Sequence, residues 1–173
     1  MVAVVPAIAL LLAGCSADGG HYAVPRDICG VQMTRKAVEP LLPDGEKVRL
    51  LRAHRETGPQ FRCTAKVDDK KAFVAEVWHK DERPEPHIGE EGPESSDHDK
   101  AIKNLPFSGW GAVSDDRVLS GVKCGKGRTN WFVFFLELRH QDGGSVKQRR
   151  EAMVRFMKEF VHHEKKKEDC TAH

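Results

Sequence analysis

Asn130-Trp131-Phe132-Val133-Phe134-Phe135-Leu136-Glu137-Leu138-Arg139 decides how this chain folds. Successive side chains on an extended strand point to opposite faces. Phe132, Phe134, Leu136 and Leu138 therefore share one face, and Trp131, Val133 and Phe135 share the other. A strand that is apolar on both faces sits inside a sheet and needs cover on both. The rest of the chain can be read by asking what supplies each cover.

The first cover lies downstream. Ser145 predicts a helix cap, and the pattern runs helical to about Lys165. Val146, Met153, Val154, Met157, Phe160 and Val161 form one stripe, with Lys147, Glu151, Arg155, Lys158 and His162 opposite. The polar side mixes both charge signs. That favours an amphipathic helix packed on a sheet over one lying in a membrane. The second cover is left to a long loop, a partner or a ligand.

Upstream, Val118 to Cys124 alternates with Val118, Ser120, Val122 and Cys124 on one face. Gly109-Trp110-Gly111 leads into a brief strand over Ala112 to Ser114. Asp97 to Leu105 reads as a short helix. Lys80 to Ser96 combines six acidic residues with three prolines and two glycines, an exposed acidic loop with no periodicity. Phe61, Cys63, Ala65 and Val67 alternate with polar residues. After Asp68-Asp69-Lys70, Ala72 to Trp78 returns to make a hairpin. Lys47 to Ala53 reads as another strand. Thr34 reads as the N-cap of a short helix over Arg35 to Leu42, interrupted by Pro40, with Val38, Leu41 and Leu42 facing the core. The expected fold is α+β: a twisted antiparallel sheet of about five to six strands, with a short N-terminal helix and a long C-terminal amphipathic helix on one face.

Before these elements come Leu12-Ala13-Gly14-Cys15, closing an uncharged apolar run over residues 1–14. The run falls short of the roughly 20 apolar residues needed to span a bilayer but fits the apolar region of an export signal. Those four residues resemble the lipobox of bacterial lipoprotein signals position by position. The resemblance implies cleavage before Cys15 and a diacylglyceryl thioether on its sulfur. The chain departs from the pattern in having no Lys or Arg ahead of the apolar run. The implied organisation is a signal peptide at 1–14, a lipidated tether at 15–27 and one domain at 28–173, with the acidic loop at 80–96. Two acyl chains suffice for stable anchoring, so the expected location is the extracytoplasmic face of the cell membrane. Net charge is +2 and nearly balanced, so nothing points to nucleic acid as a partner.

Setting Cys15 aside leaves Cys29, Cys63, Cys124 and Cys170. An even number in an exported domain predicts two disulfides, and scattered single cysteines do not suit a metal site. Of the three possible pairings, Cys29–Cys63 and Cys124–Cys170 each join consecutive parts of the chain and are preferred. Ile28-Cys29-Gly30, a helix ending Pro40-Leu41-Leu42-Pro43, Cys63-Thr64 in a strand and a long helix ending at Cys170 together resemble small actinomycete lipoproteins of unknown function. That resemblance covers nearly all of the mature chain. It implies a Mog1/PsbP-like sandwich, a scaffold for binding more than for catalysis, and it names no ligand.

Reactive constellations are weak. Ser95, Ser96, Asp97, His98 and Asp99 hold the residue types of a hydrolase triad, but neighbours in sequence do not make triad geometry and no nucleophile-elbow motif is present. His162, His163 and Glu164, with His173, suggest a metal site, yet successive helical residues diverge by about 100°. His87 and His98, among carboxylates, are no stronger as metal ligands. Trp110 and Trp131, with Val133 and Phe135, are the better candidates for a binding surface, because tryptophan is enriched at interaction hot spots. The expectation is a non-catalytic, cofactor-free and metal-free envelope module that binds a protein or small ligand. The alternatives are an envelope hydrolase using Ser95 or Ser96 with His98, and a carrier for a small apolar molecule.

Overall fold

The computed structural model describes residues 22–54, 60–84, 100–124, 130–140, 142, 144–167 and 170. The described chain opens with a two-residue hairpin, β1 (Asp27–Ile28) and β2 (Val31–Gln32). Cys29 and Gly30 turn it with φ of 54° and 95°, and the Asp27 carboxylate accepts the Gly30 amide at 2.6 Å. Left-handed residues at both turn positions match the right-handed twist of the flanking strands. Helix α1 (Arg35–Val38) follows and tightens into a 3-10 turn at Glu39–Leu41, where Pro40 cannot donate an amide to continue the helix.

Seven strands form one antiparallel sheet: β3 (Val48–Ala53), β4 (Phe61–Val67), β5 (Lys70–Lys80), β6 (Lys100–Ala101), β7 (Gly109–Val113), β8 (Arg117–Lys123) and β9 (Trp131–Leu138). Their order across the sheet is β3-β4-β5-β9-β8-β7-β6. The strand quoted at the outset, β9, lies between β5 and β8 at the centre. The β4–β5 hairpin turns on Asp68 and Asp69, both at positive φ, and the Asp68 carboxylate accepts the Lys47 amide at 2.9 Å. Helix α2 (Val146–Lys167) crosses one face.

The α+β class stands, and the sheet is larger than expected. The added strand is β6, which falls where the sequence suggested a helix. Lys100 and Ala101 pair with Val113 and Ala112, and the Ile102 amide donates to the Gly111 carbonyl at 2.8 Å. Asn104 at φ 55° and Pro106 oppose helix continuation through this stretch.

The core lies between the sheet and α2. Phe156 and Phe160 meet Phe73 and Phe134 with ring centroids 5.4 Å and 4.9 Å apart, and Phe61 closes on Phe160 at 5.6 Å. Burying each such ring contributes on the order of 2–3 kcal/mol. Ser145 and Gln148 cap α2 reciprocally: the Ser145 amide donates to Gln148 Oε1 at 2.8 Å, and the Gln148 amide donates to Ser145 Oγ at 3.4 Å. Val146, expected on the buried stripe, is exposed because it occupies the first position of the helix. Phe156 takes its place in the core. Thr34 occupies the N-cap of α1 as expected but makes no side-chain cap bond; its hydroxyl donates to Glu159 Oε2 at 2.8 Å, tying α1 to α2.

Both expected disulfides are present, Cys29–Cys63 and Cys124–Cys170. The first ties the β1–β2 turn to β4, and the second ties the end of β8 to the chain beyond α2. Each contributes roughly 2–4 kcal/mol by restricting the unfolded chain. The stretch from Tyr22 to Asp27, expected as the end of a tether, belongs to the domain. Tyr22 and Val24 pack against the core, and the Tyr22 hydroxyl donates to the Pro43 carbonyl at 2.6 Å. Cys15 lies outside the described residues.

Burial, and then the charges of Asp44, Asp68 and Glu39, push the Tyr22 phenol above its ordinary value of 10.0. A raised acid in the folded state stabilises the fold while it stays protonated. The contribution is complete below pH 10 and is lost as the pH rises through the folded value. Tyr22 is the only tyrosine, so the phenolate band near 295 nm reports it alone. The native protein should titrate above the midpoint of the urea-unfolded chain. Coincident midpoints would show that Tyr22 is not held.

Candidate functional site

The face of the sheet turned away from α2 is built from the other set of alternating positions. Strand register sets them out in rows. Trp78 on β5 pairs with Val133 on β9, which pairs with Gly121 on β8, which pairs with Trp110 on β7. In the next row Arg62, Glu76, Phe135, Leu119 and Ala112 follow one another. On the other side Lys80, Trp131 and Lys123 complete the rim. Trp110, Trp131, Val133 and Phe135, expected to form a binding surface, therefore lie together on one face, but Val133 is buried and the other three are half-buried. All three tryptophans of the chain are on it. Trp78 was missed in the sequence. Its signal was the same period of two, since Val74, Glu76 and Trp78 oppose Phe73, Ala75 and Val77.

One glycine shapes the surface. A β-carbon at Gly121 would sit 2.3 Å from Trp110 Nε1, so only glycine lets the indole lie down on β8. The indole N–H is buried and has no hydrogen-bond partner among the described residues. Trp78 is held differently, with Nε1 donating to Glu76 Oε2 at 3.3 Å.

Charge surrounds the aromatic rows. Lys80 Nζ stands 5.8 Å from the Trp78 ring centre and Arg83 Cζ stands 6.0 Å from that of Trp131. Such cation–ring contacts are each worth about 0.5–1 kcal/mol at exposed sites. Glu76 and Glu137 are buried carboxylates, and both are paired: Glu76 with Arg62 at 2.7 Å, and Glu137 with Arg139 at 2.7 Å. Such arginine–carboxylate pairs limit the arrangements of the neighbouring side chains. The face is thus an aromatic platform whose edge carries charges of both signs, Lys80, Asp81, Glu82, Arg83 and Lys123.

The remaining sequence candidates are elsewhere. Ser95, Ser96, His98 and His87 lie outside the described residues, as do His173 and the acidic stretch from Glu85 to Asp99. His162 and His163 sit on α2, far along the chain from the platform strands, with rings 5.6 Å apart and nearly perpendicular. No group of three potential metal-binding side chains occurs among the described residues. No helix among them is long and apolar enough to cross a membrane. Comparison with family models, curated proteins and solved structures returns no match to this chain.

Gly121→Val should lift the Trp110 indole off the sheet and cost about 1–3 kcal/mol. Fluorescence emission should move to the red and acrylamide quenching should rise. In a Trp110→Phe background the same substitution should leave emission unchanged. A shift that persists there would show that Gly121 does not seat Trp110.

Proposed function

We propose that this chain is a lipid-anchored, extracytoplasmic, non-catalytic binding module of a cell envelope, and that it binds a protein partner with the tryptophan face. The observation that carries the reading is the gathering of Trp78, Trp110 and Trp131 on the sheet face opposite α2. Aromatic and arginine side chains on a rigid support are the usual anchors of protein interfaces. Two disulfides fit a compartment outside the reducing cytosol. The lipobox at Leu12–Cys15 supports export and anchoring.

Two arms test the reading. Cys15→Ala should move the protein from the membrane fraction to the medium, and a variant that stays membrane-bound contradicts the anchor. In intact cells, a photoreactive residue at Lys123 should give one protein adduct. Trp131→Ala should weaken that adduct about tenfold or more. No protein adduct from Lys123, with the domain folded and anchored, would overturn a protein-binding role and leave a small apolar ligand as the occupant.

A further inference from the structure

We propose that the outer side of the helical layer is a second contact surface, and that it lies on a bilayer of anionic lipid. The proposal rests on the anchor reading for its orientation. The lipid contact itself is argued from the charges on α2.

Arg155, Lys158, His162, Lys165 and Lys166 recur along α2 at helical steps, away from the buried line of Met153, Phe156, Met157, Phe160 and Val161. Two of them reach sideways. Arg155 Nη1 donates to the Lys36 carbonyl at 3.4 Å, and Lys158 Nζ donates to the Asn104 carbonyl at 3.2 Å. These bonds set Arg155 beside exposed Lys36 on α1, and Lys158 beside exposed Lys103. A belt of cations therefore runs across the outside of the layer.

Of the carboxylates of the layer, Glu159 faces no cation among the described residues, and it offsets one charge of the belt. Glu39 holds Arg35 at 2.6 Å, Glu159 takes the Thr34 hydroxyl at 2.8 Å, Glu151 stands 4.0 Å from Lys147, and Glu164 is buried. Lys36, Lys103, Arg155, Lys158, Lys165 and Lys166 have no ion pair among the described residues. The near-neutral net charge of the chain conceals this surface. Between Glu85 and Asp99 the sequence has six carboxylates and no lysine or arginine, so the rest of the chain holds the corresponding cationic excess.

Reach supplies the second argument. Six residues lie between Cys15 and Tyr22, and the seven steps from one to the other span at most about 24 Å when fully extended. Tyr22 is fixed to Pro43, just after the 3-10 turn that packs against α2. A lipid on Cys15 therefore holds the domain close to the bilayer from its helical side. The cationic layer faces the lipid, and the tryptophan face on the opposite side of the sheet stays open to a partner. Each lysine or arginine near an anionic surface strengthens binding about fivefold, and salt screens the effect.

The test uses a non-lipidated chain beginning at Ser16, which retains every element of the fold described above. It should cosediment with phosphatidylcholine vesicles containing about one quarter phosphatidylglycerol, and not with pure phosphatidylcholine. Raising salt from about 50 to about 500 mM should release it. Lys36→Gln, Arg155→Gln and Lys166→Gln together should weaken binding on the order of a hundredfold. The triple change Lys66→Gln, Lys70→Gln and Lys71→Gln, equal in charge but placed on the β4–β5 hairpin, should bind like the parent. Equal binding to both vesicle types, or equal loss in the two triple variants, would overturn the proposal. Because this chain has no Cys15, a failure here is separate from a failure of the anchor, which only fractionation of the full chain reports.

Discussion

The contact between α2 and one face of the sheet is the constraint on which the rest depends. Phe156 and Phe160 seat among Phe61, Phe73 and Phe134 and remove that face from water. Once it is sealed, every side chain at the alternate strand positions must point the other way. A one-residue slip in β9 would exchange Phe134 for Phe135 and Phe132 for Trp131, and so would mix the two surfaces. The platform is therefore a by-product of core packing: the phenylalanines fix the register, and the register places the tryptophans.

The disulfides and ion pairs hold this division in place. Cys29–Cys63 pins the N-terminal hairpin to β4, and Cys124–Cys170 pins the end of α2 to the end of β8. Both bridges fasten pieces of the helical side to the sheet. On the other face, Arg62–Glu76 and Arg139–Glu137 fix the charges between the strands. Paired charges among apolar residues add little net stability but limit the arrangements the side chains can adopt. In this account the molecule has three layers of use: cations outward on the helices, a closed core, and an aromatic platform on the far side of the sheet.

Much of this was legible in the sequence because it rests on short periods. The two faces of β9, the β4–β5 hairpin and the long last helix follow from steps of two and of three or four residues. The disulfide partners were legible because each joins neighbouring parts of the chain. The failures share one cause, which is that distant partners decide. Lys100–Ala101 is a strand because β7 is there to pair with it, and two residues have no pattern of their own. Thr34 sits at the N-cap, but its hydroxyl goes to Glu159, which lies within reach only in the fold. Tyr22 looks like tether until Pro43 accepts its hydroxyl. The period of two gives the face of Trp78, but only its pairing with Val133 sets it in the row with Trp110. Likewise, the belt formed by Lys36, Arg155, Lys158 and Lys103 spans three separate segments.

The central claim is that the sheet face carrying the tryptophans is occupied by a partner in the envelope. Oxidative footprinting of Trp78, Trp110 and Trp131, read by mass spectrometry, tests it most directly. The purified protein should be modified at these positions, and protein labelled in its native membranes should be protected there. Equal modification in both states would contradict the account, because the face would then be as accessible in the envelope as it is in solution.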